Sequence, residues 1–265
     1  MSNVPLAFLL SVVAGLSTGI GSLITLFAKK TNTNFLSVSL GFSAGVMVYV
    51  SLVELLNESR NMLSNALGNR PGEIAAVLSF FMGMMIAGII DKILPEDNNP
   101  HEIKHFDSER AVGSPDKRLM RTGIITAIAI TIHNFPEGMA TFISSMYDPS
   151  LALPIVLAIA LHNIPEGITV ALPIYYATGD KKKATLYSFL SGLTEPLGAA
   201  VGYFILMPFL SQTLYGVLFA LVAGIMVFIS FDELLPSARE YGDNHLSIYG
   251  MVAGMLVMAI SLILL

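Results

Sequence analysis

The chain has 265 residues, 54% of them apolar and only 12% charged, with a formal net charge of −5. That is too little solvated charge to cover a water-soluble globule of this size, so a soluble domain is excluded and the bilayer is the solvent. The absence of cysteine also excludes disulfides and thiolate ligands, leaving His, carboxylate, amide, thioether, backbone and water as donors for any metal.

Apolar runs of transmembrane length recur along the whole sequence and predict eight helices. The first, 5–28, stands where a signal peptide would. It has no basic n-region, contains Gly15, Gly19 and Gly21, and leads into Lys29 and Lys30, so it is read as a retained helix. Helices at 35–57 and 73–92 follow, then a polar connection at 93–120 read as a cytoplasmic loop, then helices at 121–146, 151–177, 184–208, 212–236 and 246–265. On this plan twelve of the 14 Lys and Arg fall on one side, and only Arg60 and Arg70 on the other. The positive-inside rule then predicts a multi-pass protein of the cell membrane with both termini extracytoplasmic.

Two repeats organise the chain. His133-Asn134-Phe135-Pro136-Glu137-Gly138 returns 29 residues later as His162-Asn163-Ile164-Pro165-Glu166-Gly167. One membrane crossing separates the copies, so they are inverted with respect to each other, an arrangement that places transport sites at repeat interfaces. Ala44–Ser51 in helix 2 also matches Ala223–Ser230 in helix 7, each leading to Glu-Leu-Leu at Glu54 and Glu233. Gly15-Leu16-Ser17 in helix 1 matches Gly192-Leu193-Thr194 in helix 6. The expected fold is an all-α integral membrane protein whose eight helices form a 3+2+3 arrangement with inverted repeats.

Residues four apart share a helix face, so His133 pairs with Glu137 and His162 with Glu166, each pair able to close on one ion. Asn134 and Asn163 precede the same glutamates by three residues, which lets each carboxylate stand between two positions and bridge two metals. Pro136 and Pro165 remove donors to the carbonyls of Ile132 and Leu161, and Gly138 and Gly167 permit close backbone approach. Glu195, followed by Pro196 and Gly198, is the candidate third carboxylate. Ionisable groups inside a membrane are costly and usually mark an ion or proton pathway. Imidazole with carboxylate suits Zn²⁺, Fe²⁺, Mn²⁺, Co²⁺ or Cd²⁺ better than Mg²⁺ or Ca²⁺. Three clustered glutamates cannot all stay ionised without metal, so metal binding should displace protons and uptake should depend on pH.

These motifs resemble the ZIP family of metal transporters, and within it the bacterial ZupT/GufA-like branch, over nearly the whole chain. The resemblance implies a binuclear site between helices 4, 5 and 6. His133, Glu137, His162 and Glu166 would form one metal position, Asn134, Glu137, Asn163, Glu166 and Glu195 the other, with Glu137 and Glu166 bridging. It implies import of Zn²⁺ and other divalent transition metals as bound substrate, no cofactor, and a homodimer in the lipid bilayer with no nucleic-acid partner. Some family members carry Gln-Asp where this chain has His162-Asn163, so metal selectivity does not transfer from them.

Other readings are weaker. His101-Glu102-Ile103-Lys104-His105 spells the H-E-x-x-H of zinc proteases, but it follows Pro100 in a polar stretch without an apolar helix to hold a catalytic zinc. Metal capture by His101 and His105, or plain solvation, suits that context better. A membrane-embedded metal-dependent hydrolase or protease is the alternative function, and a proton channel another; the paired asparagines and the inverted repeat favour passage of ions over catalysis. Met47, Glu54, Asp232, Glu233 and His245 are candidates for lining the routes to and from the site.

Overall fold

The structure, a computed structural model, describes residues 4–29, 32–93, 117–147, 149–206, 211–240, 242 and 245–264. His101 and His105 lie outside the described residues, as does most of the 93–120 connection.

Eight helical rods follow in chain order. α1 spans Val4–Leu26 and tightens into a 3₁₀ turn over Ser22–Leu26. α2, Thr33–Leu67, starts at Asn32, whose side chain accepts from the Phe35 amide at 3.0 Å. It stops at Gly68, where φ is 91°, a backbone that favours glycine and lets the chain turn straight into α3, Asn69–Ile93. α4 is Lys117–Tyr147 and α5 is Pro149–Thr178. α6, residues 181–206, is capped by Asp180, which accepts from the amides of Lys182 and Lys183 at 2.9 and 3.1 Å. α7 is Gln212–Glu240 and α8 is Leu246–Leu264.

α1, α2, α3, α7 and α8 are long and apolar enough to cross a membrane. α4, α5 and α6 carry the polar motifs. Along α3, Ile74, Leu78, Phe81, Met85 and Ile89 are exposed. Their spacing makes one continuous apolar face, a liability in water and the natural surface against lipid. The chain is an all-α, multi-pass membrane protein.

Two rods extend past their apolar runs. α2 continues beyond residue 57 because its polar end is held by tertiary contacts: Ser59 donates to the Gly216 carbonyl at 2.6 Å, and Leu63 is fully buried. Packing supplies the helical stability that composition does not. α4 begins at Lys117, so the end of the expected loop forms its first turn.

The rods fall into two groups. α2 packs on α8, α3 on α7, and the end of α2 on both α3 and α7; α1, α4, α5 and α6 pack among themselves. Fewer contacts join the groups, chiefly α2 with α5 and α4 with α7. Close helix approach follows the repeats: a Cβ on Gly45 of α2 would strike the Met251 carbonyl of α8, and one on the matching Gly224 of α7 would strike the Phe80 carbonyl of α3. Gly15 of α1 and Gly192 of α6, which match in sequence, each meet the other's carbonyl and so sit at the pseudo-twofold axis.

The repeat also fixes local backbone. From the ends of the matched segments onward, α2 widens into a π turn at Val50–Leu55 and α7 into one at Ser230–Leu234. Ser51 donates to the Met47 carbonyl at 2.6 Å, and its counterpart Ser230 to Met226 at 2.7 Å. Such turns recur at functional positions, and here they present Glu54 and Glu233 from the two halves.

Candidate metal site

On α4, helical spacing brings Glu137 over His133, whose Nε2 lies 3.5 Å from Glu137 Oε2. The same nitrogen lies 3.4 Å from Oε1 of Glu166 on α5. Both separations exceed a good hydrogen bond. They match the edge of a tetrahedron: with metal–ligand bonds of about 2.0–2.1 Å, two donors on one zinc stand about 3.3 Å apart. Each pair, one within α4 and one between α4 and α5, has the spacing of two donors on one ion; among the described residues the three donors do not stand with every ligand atom within 4.8 Å of the others. The His133 side chain is 2% exposed, that of Glu166 1% and that of Glu137 11%, so water screens this cluster little.

The neighbouring residues extend it. Asn163, fully buried, donates through Nδ2 to the Ala14 carbonyl of α1 at 3.1 Å and to Oε1 of Glu195 on α6. That double donation fixes the amide with its oxygen pointing elsewhere. Oδ1 of Asn163 and Oε2 of Glu195 are buried with no hydrogen-bond partner among the described residues, a costly state for polar atoms that a cation relieves. The Glu195 carbonyl lies against Gly138, the residue after Glu137, and its side chain meets Asn163 on the helix that carries Glu166. Asn134 is also buried, its amide nitrogen reaching Glu166 Oε2 at 3.3 Å and the Ile130 carbonyl at 3.2 Å. His162 is on α5 one turn before Glu166, and its side chain lies outside what the structure describes.

Backbone packing holds the cluster. A Cβ on Gly138 would overlap the Glu195 carbonyl, and one on Gly167 the Thr18 carbonyl, so α4 lies directly on α6 and α5 directly on α1. Ser43 of α2 donates to the Pro165 carbonyl at 3.1 Å, tying the other helix group to the α5 motif.

The remaining candidates lie apart. Met47 is buried in α2 within the apolar core, and Glu54 is half-buried in the α2 π turn. His245 is exposed and stacks on Tyr249 with ring centroids 6.1 Å apart. Asp232 and Glu233 belong to a network that sequence reading did not assemble. Arg121 of α4 reaches Asp91 Oδ1 of α3 at 2.7 Å and Glu233 Oε1 of α7 at 3.2 Å, while Thr122 donates to Glu233 Oε2 at 3.2 Å. Carboxylate oxygens of Asp91, Asp232 and Glu233 lie within 4.8 Å of one another, but the guanidinium is already the cation among them. The sequence signal was an Arg at the polar end of a transmembrane helix, beside Lys117 and Arg118.

Comparison with known proteins agrees with these features. The family model described as "ZIP Zinc transporter" matches residues 91–262, a stretch containing every residue of the candidate site. Zinc transporter ZupT of Streptococcus mutans is 60% identical over 258 residues, covering 97% of each chain. The protein of the same name from Clostridium perfringens is 57% identical, covering all of this chain and 97% of its own, and that from Oceanobacillus iheyensis is 56% identical over the full length of both. The chain belongs to the ZIP family of zinc transporters.

Proposed function

We propose that this protein imports divalent transition metals into the cytoplasm, Zn²⁺ foremost and Fe²⁺, Mn²⁺, Co²⁺ and Cd²⁺ with it, through a binuclear site between α4, α5 and α6. The observation that carries the reading is the position of His133 Nε2, at 3.5 Å from a Glu137 oxygen and 3.4 Å from a Glu166 oxygen, the spacing of ligands around one small ion. On this reading His133, Glu137, His162 and Glu166 hold the first ion. Asn134, Asn163 and Glu195 complete a second position against the far sides of Glu137 and Glu166, which bridge the two. The ions are cargo, and the protein needs no resident cofactor.

The relatives named zinc transporters support the cargo class. The excess of Lys and Arg on one side of the eight-helix plan supports both termini lying outside the cytoplasm, and the exposed apolar face of α3 suits lipid or a second copy. All the ligands bind as deprotonated or neutral donors, so each ion that enters displaces protons. The test is uptake of ⁶⁵Zn²⁺ and ⁵⁵Fe²⁺ into vesicles holding the purified protein or its Glu166→Ala variant. Uptake of both ions that collapses in the variant is the expected result. Uptake that survives the substitution would remove the bridging carboxylate from the pathway, and accumulation of neither ion would overturn the transport reading.

A further inference from the structure

The pseudo-twofold axis relates the contacts of the site pair by pair. Gly138 lies on the Glu195 carbonyl, and its repeat partner Gly167 lies on the Thr18 carbonyl. Gly198 of α6 lies on the Phe135 carbonyl, and Gly21 of α1 on the Ile164 carbonyl. Thr194 donates to the Ser191 carbonyl, and Ser17 to the Ala14 carbonyl. In every pair a residue of α1 takes the place of one of α6. Under the same correspondence, Gly15 with Gly192 and Ser17 with Thr194, the position equivalent to Glu195 is Thr18. There the symmetry breaks: α6 directs a carboxylate at Asn163, and the matching position of α1 carries a hydroxyl.

The state of that hydroxyl is unusual for its helix. Ser11, Ser17, Ser22 and Thr25 of α1 each donate to a carbonyl one turn back, the ordinary way a helical hydroxyl is satisfied inside a membrane. Thr18 is fully buried, and its Oγ1 has no hydrogen-bond partner among the described residues. Its own carbonyl is occupied, accepting from Ser188 at 2.9 Å, so the residue is held in place while its side chain is left over. An unpaired polar atom this deep is selected against unless something pairs with it. The symmetry offers a candidate, because Thr18 holds on α1 the sequence and backbone position that Glu195 holds on α6.

We infer that Thr18 is a specificity-determining residue of the transport site, its hydroxyl binding the water shell of the ion on the Asn134 side, where the twofold would otherwise put a second Glu195. This rests on the proposed site. A hydroxyl is too short and too weak a ligand to replace a carboxylate, so it contacts the ion through retained water and leaves that half of the site less negative than the Glu195 half. Ions that keep their water, such as Mn²⁺, depend on this contact more than Zn²⁺, which is content with four nitrogen and carboxylate ligands.

The test compares wild type with Thr18→Val, which keeps shape and removes the hydroxyl, and Thr18→Ser, which keeps the hydroxyl and removes the methyl. The readout is the Mn²⁺ concentration that halves ⁶⁵Zn²⁺ uptake into vesicles. Thr18→Val is expected to raise it about three- to tenfold relative to the Zn²⁺ KM, the worth of one hydrogen bond, and Thr18→Ser to hold it at the wild-type value. A role in packing alone would reverse that order, because Val preserves volume and Ser does not. An unchanged ratio in Thr18→Val, equal shifts in both variants, or wild-type uptake insensitive to Mn²⁺ would each overturn the inference. None of these would touch the proposed site, which stands or falls on Glu166→Ala. Should Thr18→Val fail to reach the membrane folded, Thr18→Ala also removes the hydroxyl, and a shifted Mn²⁺ value in Thr18→Ala beside an unshifted one in Thr18→Ser supports the inference; no shift in Thr18→Ala, or shifts in both, overturn it.

Discussion

Removing Arg121 should unsettle the boundary between the two helix groups. The guanidinium, just past the first turn of α4, binds Asp91 Oδ1 at 2.7 Å and the Asp91 carbonyl at 3.2 Å, both on α3, and Glu233 Oε1 at 3.2 Å on α7. The Arg121 side chain is 14% exposed and that of Glu233 only 4%. Truncation by Arg121→Ala leaves the oxygens of Asp91, Asp232 and Glu233 within 4.8 Å of one another without the positive charge between them. Two unit charges at that separation repel by about 3–4 kcal/mol at an effective dielectric of about 20. Orphaning one member of a buried ion pair costs about 3–5 kcal/mol by a separate measure. The two figures describe the same loss and are not summed; water reaching Asp91, at 23% exposure, lowers it to about 3 kcal/mol. For a chain of this size that corresponds to a fall in Tm of about 6–12 °C, read by thermal unfolding in detergent micelles. Adding Glu233→Gln to the Arg121→Ala background removes the orphaned charge and should recover about half of the fall, a coupling expected only of groups in contact. A Tm within about 1 °C of wild type, or strict additivity of the two substitutions, would refute the reasoning.

Three further outcomes are expected. Gly138→Ala forces a Cβ into the Glu195 carbonyl, so α4 and α6 must separate at a cost of about 1–3 kcal/mol; Tm should drop and zinc affinity fall with it, whereas Gly68→Ala, in a turn with open space around it, should leave affinity unchanged. Ser43→Ala removes the 3.1 Å hydrogen bond to the Pro165 carbonyl, lowering stability by about 1 kcal/mol, seen as a small Tm shift with binding retained. Zinc binding should weaken as pH falls, because protons compete for His133 and the three carboxylates, and adding zinc to weakly buffered protein should release protons measurable with an indicator dye; no release would mean that the ligands were already deprotonated without metal.

How far each part of this architecture was legible follows from the distance over which its cause acts. The His-to-Glu spacing of the two motifs is a property of one helix, and the inverted repeat is a property of the chain compared with itself, so both could be read before any packing was known. α1, α2, α3, α7 and α8 announce themselves by unbroken apolar runs. α4, α5 and α6 do so less clearly, because the polar residues that make them useful also interrupt the pattern that marks a span. What stayed hidden depends on partners remote in sequence. Arg121 meets Glu233 across 112 positions and Asn163 meets the Ala14 carbonyl across 149, and no local periodicity records either. The asymmetry at Thr18 was hidden for a different reason. Its residues were in view, and Gly15-Leu16-Ser17 was already aligned with Gly192-Leu193-Thr194, but one step further the alignment pairs a threonine with a glutamate, which reads as the end of a repeat. Only the matched contacts on either side, Gly167 on the Thr18 carbonyl and Gly138 on the Glu195 carbonyl, turn that mismatch into a position. With a carboxylate at Glu195 in one half and a hydroxyl at Thr18 in the other, the two positions of the proposed site would differ in charge although the backbone around them is matched.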